Sequence, residues 1–282
     1  MTNELRDRTV LVTGASAGIG RATAARLAAM GANVLLASRS RERGEAAQAM
    51  IAEQVPGAST RLLLADLASP DGVRSLAEQT LAASDRLDVL VNNAGVFTRG
   101  YEETPNGLET QFAVNHLAPF LLTHLLRERL AETAPSRVIT VSSEAHKRGR
   151  INFDDLQGQQ HYNGLKAYAQ SKLANLLFNR ELARRLGGTG VTANALHPGV
   201  VATSLLFDSF RPLKLLRPLF KTPEQGARTT ICLAAAPALE RLTGLYFIDC
   251  EPARPSAAAR DDAAARRLWQ VSAELAGIDS RE

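Results

Sequence analysis

The fold is decided by the stretch TVLVTGASAGIG at residues 9–20. Its first five residues are apolar and β-branched, which predicts a buried strand over 9–13. A glycine turn follows, then an apolar-periodic helix that ends near Gly31, then a second strand over 33–37. This order of strand, glycine turn, helix and strand predicts a βαβ unit with two parallel strands.

The glycine turn between the first strand and the first helix also predicts a ligand. Glycine lets the backbone approach a pyrophosphate closely, and the following helix offers free N–H groups and the positive end of its dipole. Glycines alone would equally make a tight turn. The strand before them and the helix after them favour dinucleotide binding.

The end of the second strand indicates which dinucleotide is bound. Sites for NAD(H) usually carry an acidic residue there, which bonds the ribose 2′-hydroxyl group. This chain has Ser38 and Arg39 instead. A guanidinium group makes charge-assisted hydrogen bonds to phosphate, so Arg39 favours NADP(H) over NAD(H). Arg41 and Arg43 follow, and we interpret both as the solvated start of a helix.

Strands and helices alternate along the rest of the chain, with seven strand-like segments in all. This pattern predicts an α/β fold: a Rossmann-type, doubly wound parallel sheet with helices on both faces, in a single domain over 1–282. A charged, alanine-rich helix is expected over about 257–276. Beyond the βαβ unit, the predicted strands are 61–65, 88–91, 137–141, 191–196 and 244–248.

Polar residues at strand ends and inside one helix fit a cofactor site. Two roles stay open for Asp66: a bond from an adenine amino group, or a cap on the following helix. The small and amide residues of NNAG at 92–95 fit a backbone that runs close to the cofactor. Asn115 lies inside a helix predicted over 106–130, so its amide group needs hydrogen-bonding partners.

Candidate acid–base chemistry lies in the stretch YAQSK at 168–172. On a helix, Tyr168 and Lys172 share one face. A nearby ammonium group favours the ionised form of a phenol, so we expect Lys172 to lower the pKa of Tyr168 and allow proton exchange with an alcohol or ketone. Ser142 and Ser143 lie upstream and would hold the substrate oxygen.

The same spacing also occurs at Tyr162 and Lys166. A single pair of this kind is usually an ordinary contact on a helix surface. Gly164 interrupts the earlier pair, whereas the later pair continues into a strongly apolar helical stripe. Tyr168 is therefore the better candidate, and replacing Tyr162 is expected to be mild.

The composition excludes several other classes of protein. The net charge is +4 over 282 residues and the basic residues are scattered, so nucleic-acid binding is not indicated. Cys232 and Cys250 give neither a disulfide framework nor metal-ligand spacing, and we interpret them as buried small hydrophobic residues. No signal peptide, transmembrane anchor or apolar segment of about 20 residues is apparent, so a soluble cytoplasmic protein is expected.

Taken in order, these motifs resemble those of the short-chain dehydrogenase/reductase family over nearly the whole chain. More narrowly, INFDDL at 151–156 and GLYFIDC at 244–250 resemble the retinol-dehydrogenase-like branch. The family motifs are TGASAGIG at 13–20, NNAG at 92–95, Asn115, Ser143, YAQSK at 168–172 and PG at 198–199.

The resemblance implies a role for each matched residue. Ser143, Tyr168 and Lys172 would form a catalytic triad, and Asn115 would complete a tetrad with a water relay. Together with Arg39, the residues expected to contact the cofactor are Gly14, Ser16, Gly18, Ile19, Gly20, Asp66, Leu67, Asn93, Ala94, Gly95, Tyr168, Lys172, Pro198, Gly199, Val200 and Thr203.

The predicted reaction is a reversible hydride transfer between nicotinamide and a small-molecule carbonyl or alcohol. Two alternatives stay open: a binding protein that senses NADP(H) without turnover, and a lyase or epimerase with Tyr168 as base. The apolar segment 200–221 predicts a lid over a lipophilic aldehyde, ketone or alcohol. A peripheral membrane contact and a subunit interface are the alternatives for that segment. The resemblance also implies a homo-oligomer.

Overall fold

The structure is a computed structural model that describes residues 4–202 and 220–279. Its strands are β1 (Thr9–Thr13), β2 (Asn33–Ser38), β3 (Thr60–Leu64), β4 (Val89–Asn92), β5 (Ser136–Val141), β6 (Val191–His197), β7 (Tyr246–Ile248) and β8 (Glu251–Ala253). Its α-helices are α1 (Gly18–Ala29), α2 (Arg41–Gln54), α3 (Pro70–Ala83), α4 (Thr110–Phe112), α5 (Ala118–Glu132), α6 (Gly164–Arg185), α7 (Pro223–Ala235) and α8 (Asp262–Ala276).

The strands form one sheet in the order β3-β2-β1-β4-β5-β6-β7-β8. Neighbouring strands are parallel except for the last pair, β7 and β8, which are antiparallel. The predicted doubly wound sheet is therefore confirmed. The strand order reverses direction between β1 and β4, and ligands of open α/β sheets bind beyond the carboxyl ends of the strands at such a point.

Alternate residues of the central strands enter two cores, one on each face of the sheet. Val10 and Val12 of β1 belong to the core that includes α1 and α7. Leu11, between them, belongs to the opposite core with α3, α5 and Trp269 of α8. Burial on both faces is why the strands read as continuous apolar runs rather than as alternating ones.

The helix predicted over 106–130 begins and ends later than expected. Glu109 is its N-cap and accepts hydrogen bonds from the backbone N–H groups of Gln111 and Phe112, at 3.0 and 2.6 Å. After α4, a π-helical turn over Ala113–Leu117 leads into α5. A π turn places one extra residue in the helix, and such turns often occur at functional sites.

Two expectations for the C-terminal part of the sheet are wrong. The sheet has an eighth strand, β8, where seven were predicted. This strand contains Pro252, which a sheet tolerates at its edge because an edge strand has N–H groups without a ladder partner. Cys232 and Cys250 are partly exposed rather than buried, and they form a disulfide that joins α7 to the turn between β7 and β8.

The segment 200–221, predicted as a lid, lies mostly outside the described residues. Its two ends meet in space: the N–H group of Ala202 donates to the carbonyl of Lys221 at 2.9 Å, and the N–H group of Lys221 donates to Val200 at 3.0 Å. Within residues 4–202 and 220–279, no helix is both long enough and apolar enough to cross a membrane.

Candidate active site

A large cavity lies beyond the carboxyl ends of the parallel strands. Its volume of about 600 Å³ is within the range of small-molecule sites. The glycine turn after β1 forms one end of the cavity, and Ser143, Tyr168 and Lys172 line the other. One continuous space therefore reaches both the predicted diphosphate site and the predicted acid–base residues.

The turn after β1 needs glycine because its backbone packs closely against neighbouring atoms, where side chains would not fit. Gly14 has φ +66°, a left-handed conformation that favours glycine. A Cβ atom on Gly20 would overlap the carbonyl oxygen of Gly14. The N-cap of α1 is Ala17, whose side chain cannot accept a hydrogen bond, and the first turn carries no acidic residue. The N–H groups at this helix end are therefore suited to an anion.

The predicted NNAG stretch ties β4 to β1 at this edge of the sheet. The side-chain amide of Asn93 donates to the carbonyl of Thr13 at 2.8 Å. The hydroxyl oxygen of Thr13 accepts in return from the backbone N–H groups of Asn93 and Ala94, at 2.9 and 3.0 Å. These bonds hold residues 93–95 along the cavity wall, as the sequence predicted.

The predicted adenosine end of the cavity carries two arginines. Ser38, Arg39 and Arg43 all line it, and both arginine side chains are exposed. Arg41 lies apart from the cavity and forms an ion pair with Glu45 at 3.5 Å. Arg43 is therefore an exposed residue on the first turn of α2, as interpreted, and it also lines the cavity, which was not predicted.

Asp66 and Leu67 line the cavity near these arginines. The carboxylate of Asp66 accepts from the N–H group of Ala68 at 3.0 Å, within its own turn. The cap of α3 is Ser69, whose hydroxyl accepts from the N–H group of Gly72 at 3.2 Å. The alternative that Asp66 caps this helix is therefore wrong, and its position in the adenine region stays open to a ligand.

Ser143 and Tyr168 meet on the cavity wall. Ser143 follows β5 directly, and its hydroxyl accepts from the N–H group of Ala145 at 3.2 Å. Burial of the phenol raises the pKa of Tyr168 to about 12, and the hydrogen bond with Ser143 opposes only part of that rise. The expectation that the pKa of Tyr168 is lowered is therefore wrong, because loss of water around the buried hydroxyl is the largest cause acting on it.

Lys172 lies one helical turn after Tyr168 on α6. Its ammonium group is 5.6 Å from the centre of the Tyr168 ring and donates to the carbonyl of Val141 at 3.1 Å. Burial lowers the pKa of Lys172 to about 8. The hydroxyl of Ser142 donates to the backbone carbonyl of Lys172 at 2.7 Å, which joins α6 to the end of β5.

Asn115 lies in the π-helical turn and is fully buried. Its amide oxygen accepts from the N–H group of Val96 at 2.7 Å, and its amide nitrogen donates to Val96 and to Ser171, each at 3.0 Å. The partners that the sequence required for Asn115 are therefore present. A Cβ atom on Gly95 would be 3.3 Å from the amide oxygen of Asn115 and 3.5 Å from the ammonium group of Lys172. The structure thus brings these three residues together.

The nicotinamide end of the cavity was predicted at 198–203. Pro198, Gly199 and Val200 line the cavity, whereas Thr203 lies outside the described residues. Gly199 has φ +88°, and a Cβ atom there would be only 2.7 Å from the side chain of Lys221. The left-handed conformation favours glycine at this position, whereas the flexible Lys221 side chain could move away from a Cβ atom.

Glu144 and His197 also line the cavity, although neither was predicted to do so. The parallel register of β5 and β6 pairs Val141 with Leu196, so His197 lies at the same sheet edge as Ser142 and Ser143. This proximity follows from the pairing of the two strands. The stretch HPG alone marks a turn and does not show which residues lie beside it.

The fold and this constellation define a class of protein, and the comparisons with known proteins agree with it. The family model described as short chain dehydrogenase matches residues 8–212. The chain belongs to this family of oxidoreductases.

Both a curated relative and solved structures are similar to this chain. Retinol dehydrogenase 12 of Mus musculus is 48% identical over 278 residues, which cover 98% of this chain and 88% of the relative. This similarity confirms the resemblance to the retinol-dehydrogenase-like branch. A crystal structure of an uncharacterized protein from Mycobacterium paratuberculosis has a TM-score of 0.81 and 35% identity, covering 99% of this chain and 98% of that one. A short chain dehydrogenase from Burkholderia cenocepacia, crystallised in complex with NADP, has a TM-score of 0.70 and 28% identity, covering 86% and 96%.

Proposed function

We propose that this protein is an NADP(H)-dependent oxidoreductase for lipophilic carbonyl compounds and the corresponding alcohols. The observation that carries the proposal is the single cavity that joins the glycine turn to Ser143 and Tyr168. A dinucleotide bound across the carboxyl edge of such a sheet has its diphosphate at the helix N-terminus. Its other end then reaches the acid–base residues.

The residues present fit a nicotinamide dinucleotide. Gly14 and Gly20 allow the backbone of the turn to pack closely, since a Cβ atom on either would overlap neighbouring protein atoms, and α1 offers N–H groups to the diphosphate. Arg39 and Arg43 would bond a 2′-phosphate, and this supports NADP(H) over NAD(H). The bound nicotinamide supplies or accepts the hydride.

Tyr168 would act as the proton donor when a carbonyl is reduced. Because the pKa of Tyr168 is raised to about 12, the phenol is protonated at neutral pH and can donate to an oxygen that gains negative charge. Ser143, which is bonded to Tyr168, would hold that oxygen. Lys172, with its pKa lowered to about 8, can exchange a proton near neutral pH and would stabilise the phenolate that remains.

The walls beyond Ser143 support an apolar substrate. Phe97 packs against the Tyr168 ring edge-on, with ring centres 5.8 Å apart. Leu165 and Val200 line the cavity with 58% and 54% of their surfaces exposed. An apolar ligand would cover them. A long-chain or polyene aldehyde is therefore a suitable candidate, and relatives carry the name retinol dehydrogenase.

The test is an oxidation assay with NADPH or NADH and a panel of aldehydes, ketones, quinones and retinal. We expect NADPH to be consumed in proportion to the alcohol formed, with kcat/KM at least about tenfold higher than for NADH. The paired replacement of Arg39 and Arg43 by Gln should remove most of that preference and leave the rate with NADH nearly unchanged. Binding of NADPH without consumption would favour the sensor alternative. Product formation without NADPH loss would favour a lyase or epimerase.

A further inference from the structure

The peptide bond that follows Ser143 is held at both ends by imidazole rings. The carbonyl oxygen of Ser143 is 2.7 Å from Nδ1 of His146, in the 3₁₀ turn over Glu144–Arg148. The N–H group of the same peptide, which belongs to Glu144, donates to Nδ1 of His197 at 3.3 Å. His197 is the last residue of β6. One peptide unit, next to the serine of the candidate active site, is thus contacted by the rings of two histidines from different elements, and its carbonyl also accepts from the backbone N–H group of His146 at 3.0 Å.

These contacts determine which ring nitrogen carries the proton in each histidine. A carbonyl oxygen can only accept, so Nδ1 of His146 must carry a proton. Its Nε2 is then an acceptor, in agreement with the N–H group of Ser256, which donates to it at 3.2 Å. A backbone N–H group can only donate, so Nδ1 of His197 must be without a proton. Both rings are therefore neutral, and their tautomers are opposite.

The surroundings of the two rings favour this neutral state. His146 is fully buried and packs edge-on against Tyr246, with ring centres 5.2 Å apart. His197 is 8% exposed. Burial lowers the pKa of both histidines. Glu144 opposes that effect at both rings and Asp249 opposes it at His197, whereas Lys147 adds to it at His146 and Lys221 and His146 add to it at His197.

Protonation affects the two rings differently. A proton on Nδ1 of His197 would face the N–H group of Glu144, and two donors cannot form a hydrogen bond. His197 lines the cavity, so a proton can reach it there. His146 is enclosed, and protonation of its Nε2 would break the bond from Ser256. His197 is therefore the first of the two expected to respond to acid.

We propose that His146 and His197 are positioning residues for Ser143, and that protonation of His197 frees the N–H end of the Ser143–Glu144 peptide and lowers the rate of carbonyl reduction. This inference rests on the proposed function, because its kinetic consequence is a loss of turnover. A misplaced catalytic group costs rate steeply, since small shifts from the productive geometry matter. Neither residue is proposed to touch the substrate.

The kinetic test compares kcat with saturating NADPH and carbonyl from about pH 4 to pH 8, a range that extends to low pH because burial lowers the pKa of His197. His197→Asn keeps an acceptor oxygen near the position of Nδ1 but does not titrate, so we expect the acid-side loss of kcat to disappear. His197→Leu has no acceptor and should lower kcat at every pH by about tenfold or more, with a smaller change in KM for NADPH. If His197 positions Ser143, His197→Asn should retain most of the kcat that His197→Leu loses. His161→Asn, at an exposed histidine, is the matched control and should keep the wild-type pH profile.

Two kinetic outcomes would overturn the proposal: a wild-type acid limb in His197→Asn, or wild-type kcat in His197→Leu.

A second measurement does not depend on turnover. Nitrogen-15 NMR of the imidazole rings in the wild-type protein at neutral pH should show His146 protonated at Nδ1 and His197 protonated at Nε2. Acidification should move the His197 and Glu144 amide signals together. The reverse tautomers would contradict the assignment. A Glu144 amide signal that does not shift together with the His197 signals would also contradict it. If no carbonyl is reduced, the proposed function fails, and this NMR result still decides the role of the histidines.

Discussion

The chain carries the pattern Tyr-x-x-x-Lys twice, and folding makes the two copies different. Tyr168 and Lys172 both lie inside α6 and face the cavity. Tyr162 lies before the first turn of that helix, whereas Lys166 is exposed within it. Asn163 separates them as the N-cap, accepting from the N–H group of Lys166 at 3.0 Å. The position at which the helix begins therefore decides which pair shares a helical face.

The two phenols also have different partners. The Tyr162 hydroxyl donates to the buried carboxylate of Glu109 at 2.8 Å. It accepts from the amide of Gln111 at 2.8 Å and is 2.9 Å from the hydroxyl of Thr98. Burial raises the pKa of Tyr162 to about 12, and the adjacent Glu109 adds to that rise. Tyr162 therefore joins the 97–98 loop, the start of α4 and the start of α6, whereas the Tyr168 hydroxyl faces a cavity. The chemistry of a hydroxyl group is therefore determined by its partners rather than by the sequence motif that contains it.

The largest expected difference between the two copies is in turnover. Tyr168→Phe removes the proposed proton donor, so we expect kcat to fall by about 10²–10⁴-fold. The dissociation constant for NADPH, measured by fluorescence titration, should change little because the glycine turn is untouched. Tyr162→Phe, the matched control, should retain kcat within about tenfold. Equal losses in the two variants would remove the distinction between the two tyrosines.

The second difference is in stability. Here Tyr162→Phe, which is mild for turnover, is the variant expected to show the loss. Tyr162→Phe leaves the Glu109 carboxylate and the Gln111 amide without their phenol partner. Loss of a partner from buried polar groups costs about 1–3 kcal/mol in the free energy of unfolding. The replacement is therefore expected to be mild for turnover but not for stability. Urea unfolding of both Tyr→Phe variants measures this, and a Tyr162→Phe protein as stable as the wild type would contradict the network.

The two lysines should differ in how stability depends on pH. Burial lowers the folded-state pKa of Lys172 from 10.5 to about 8, so the folded protein releases this proton at a lower pH than the unfolded chain does. Between about pH 8 and 10 the unfolded chain binds more protons, and stability rises with pH. The wild type should therefore gain about 1–2 kcal/mol relative to Lys172→Met over that range. The exposed Lys166→Met serves as control. A parallel pH dependence in all three proteins would show that Lys172 is not desolvated.

The smallest expected effect concerns the cap that separates the two copies. Asn163→Ala removes the side-chain acceptor at the N-terminus of α6 and should lower the free energy of unfolding by about 1 kcal/mol. Asn163→Asp should restore most of it, because aspartate also accepts from the helix N–H groups. Thermal unfolding followed by circular dichroism compares the three proteins. An Ala variant equal to the wild type would mean that this cap does not determine where the helix begins.

Local sequence patterns were sufficient to predict most of the fold. The apolar runs of β1 and β2 and the glycines between them identified the βαβ unit, because buried parallel strands and tight turns have short-range signatures. The strand β8 was missed because it has three residues, one of which is Pro252. The π-helical turn around Asn115 was missed because no residue pattern marks the extra residue.

Most of the residues predicted for the site line one cavity, and their roles stay predictions, whereas the electrostatics were not predicted correctly. Tyr168, Lys172 and Asn93 came together as expected. The pKa of Tyr168 is raised rather than lowered because burial, which depends on the whole fold, is the largest cause acting on it. The disulfide joins residues 18 apart in the chain, and the contact between Glu144 and His197 joins residues 53 apart, so no local spacing reveals either of them. Cytoplasmic location, a homo-oligomeric state and the role of 200–221 stay predictions.

The proposed mechanism depends on the Tyr168 hydroxyl, which donates the proton when a carbonyl is reduced. The most direct test mixes the preformed complex of each protein with NADPH against excess aldehyde and follows the first turnover by nicotinamide fluorescence. If Tyr168 is the proton donor, the nicotinamide fluorescence should decay rapidly in the wild type and in Tyr162→Phe. In Tyr168→Phe this decay should be slower by about 10²-fold or more. A first turnover in Tyr168→Phe as fast as in the wild type would contradict this role of Tyr168.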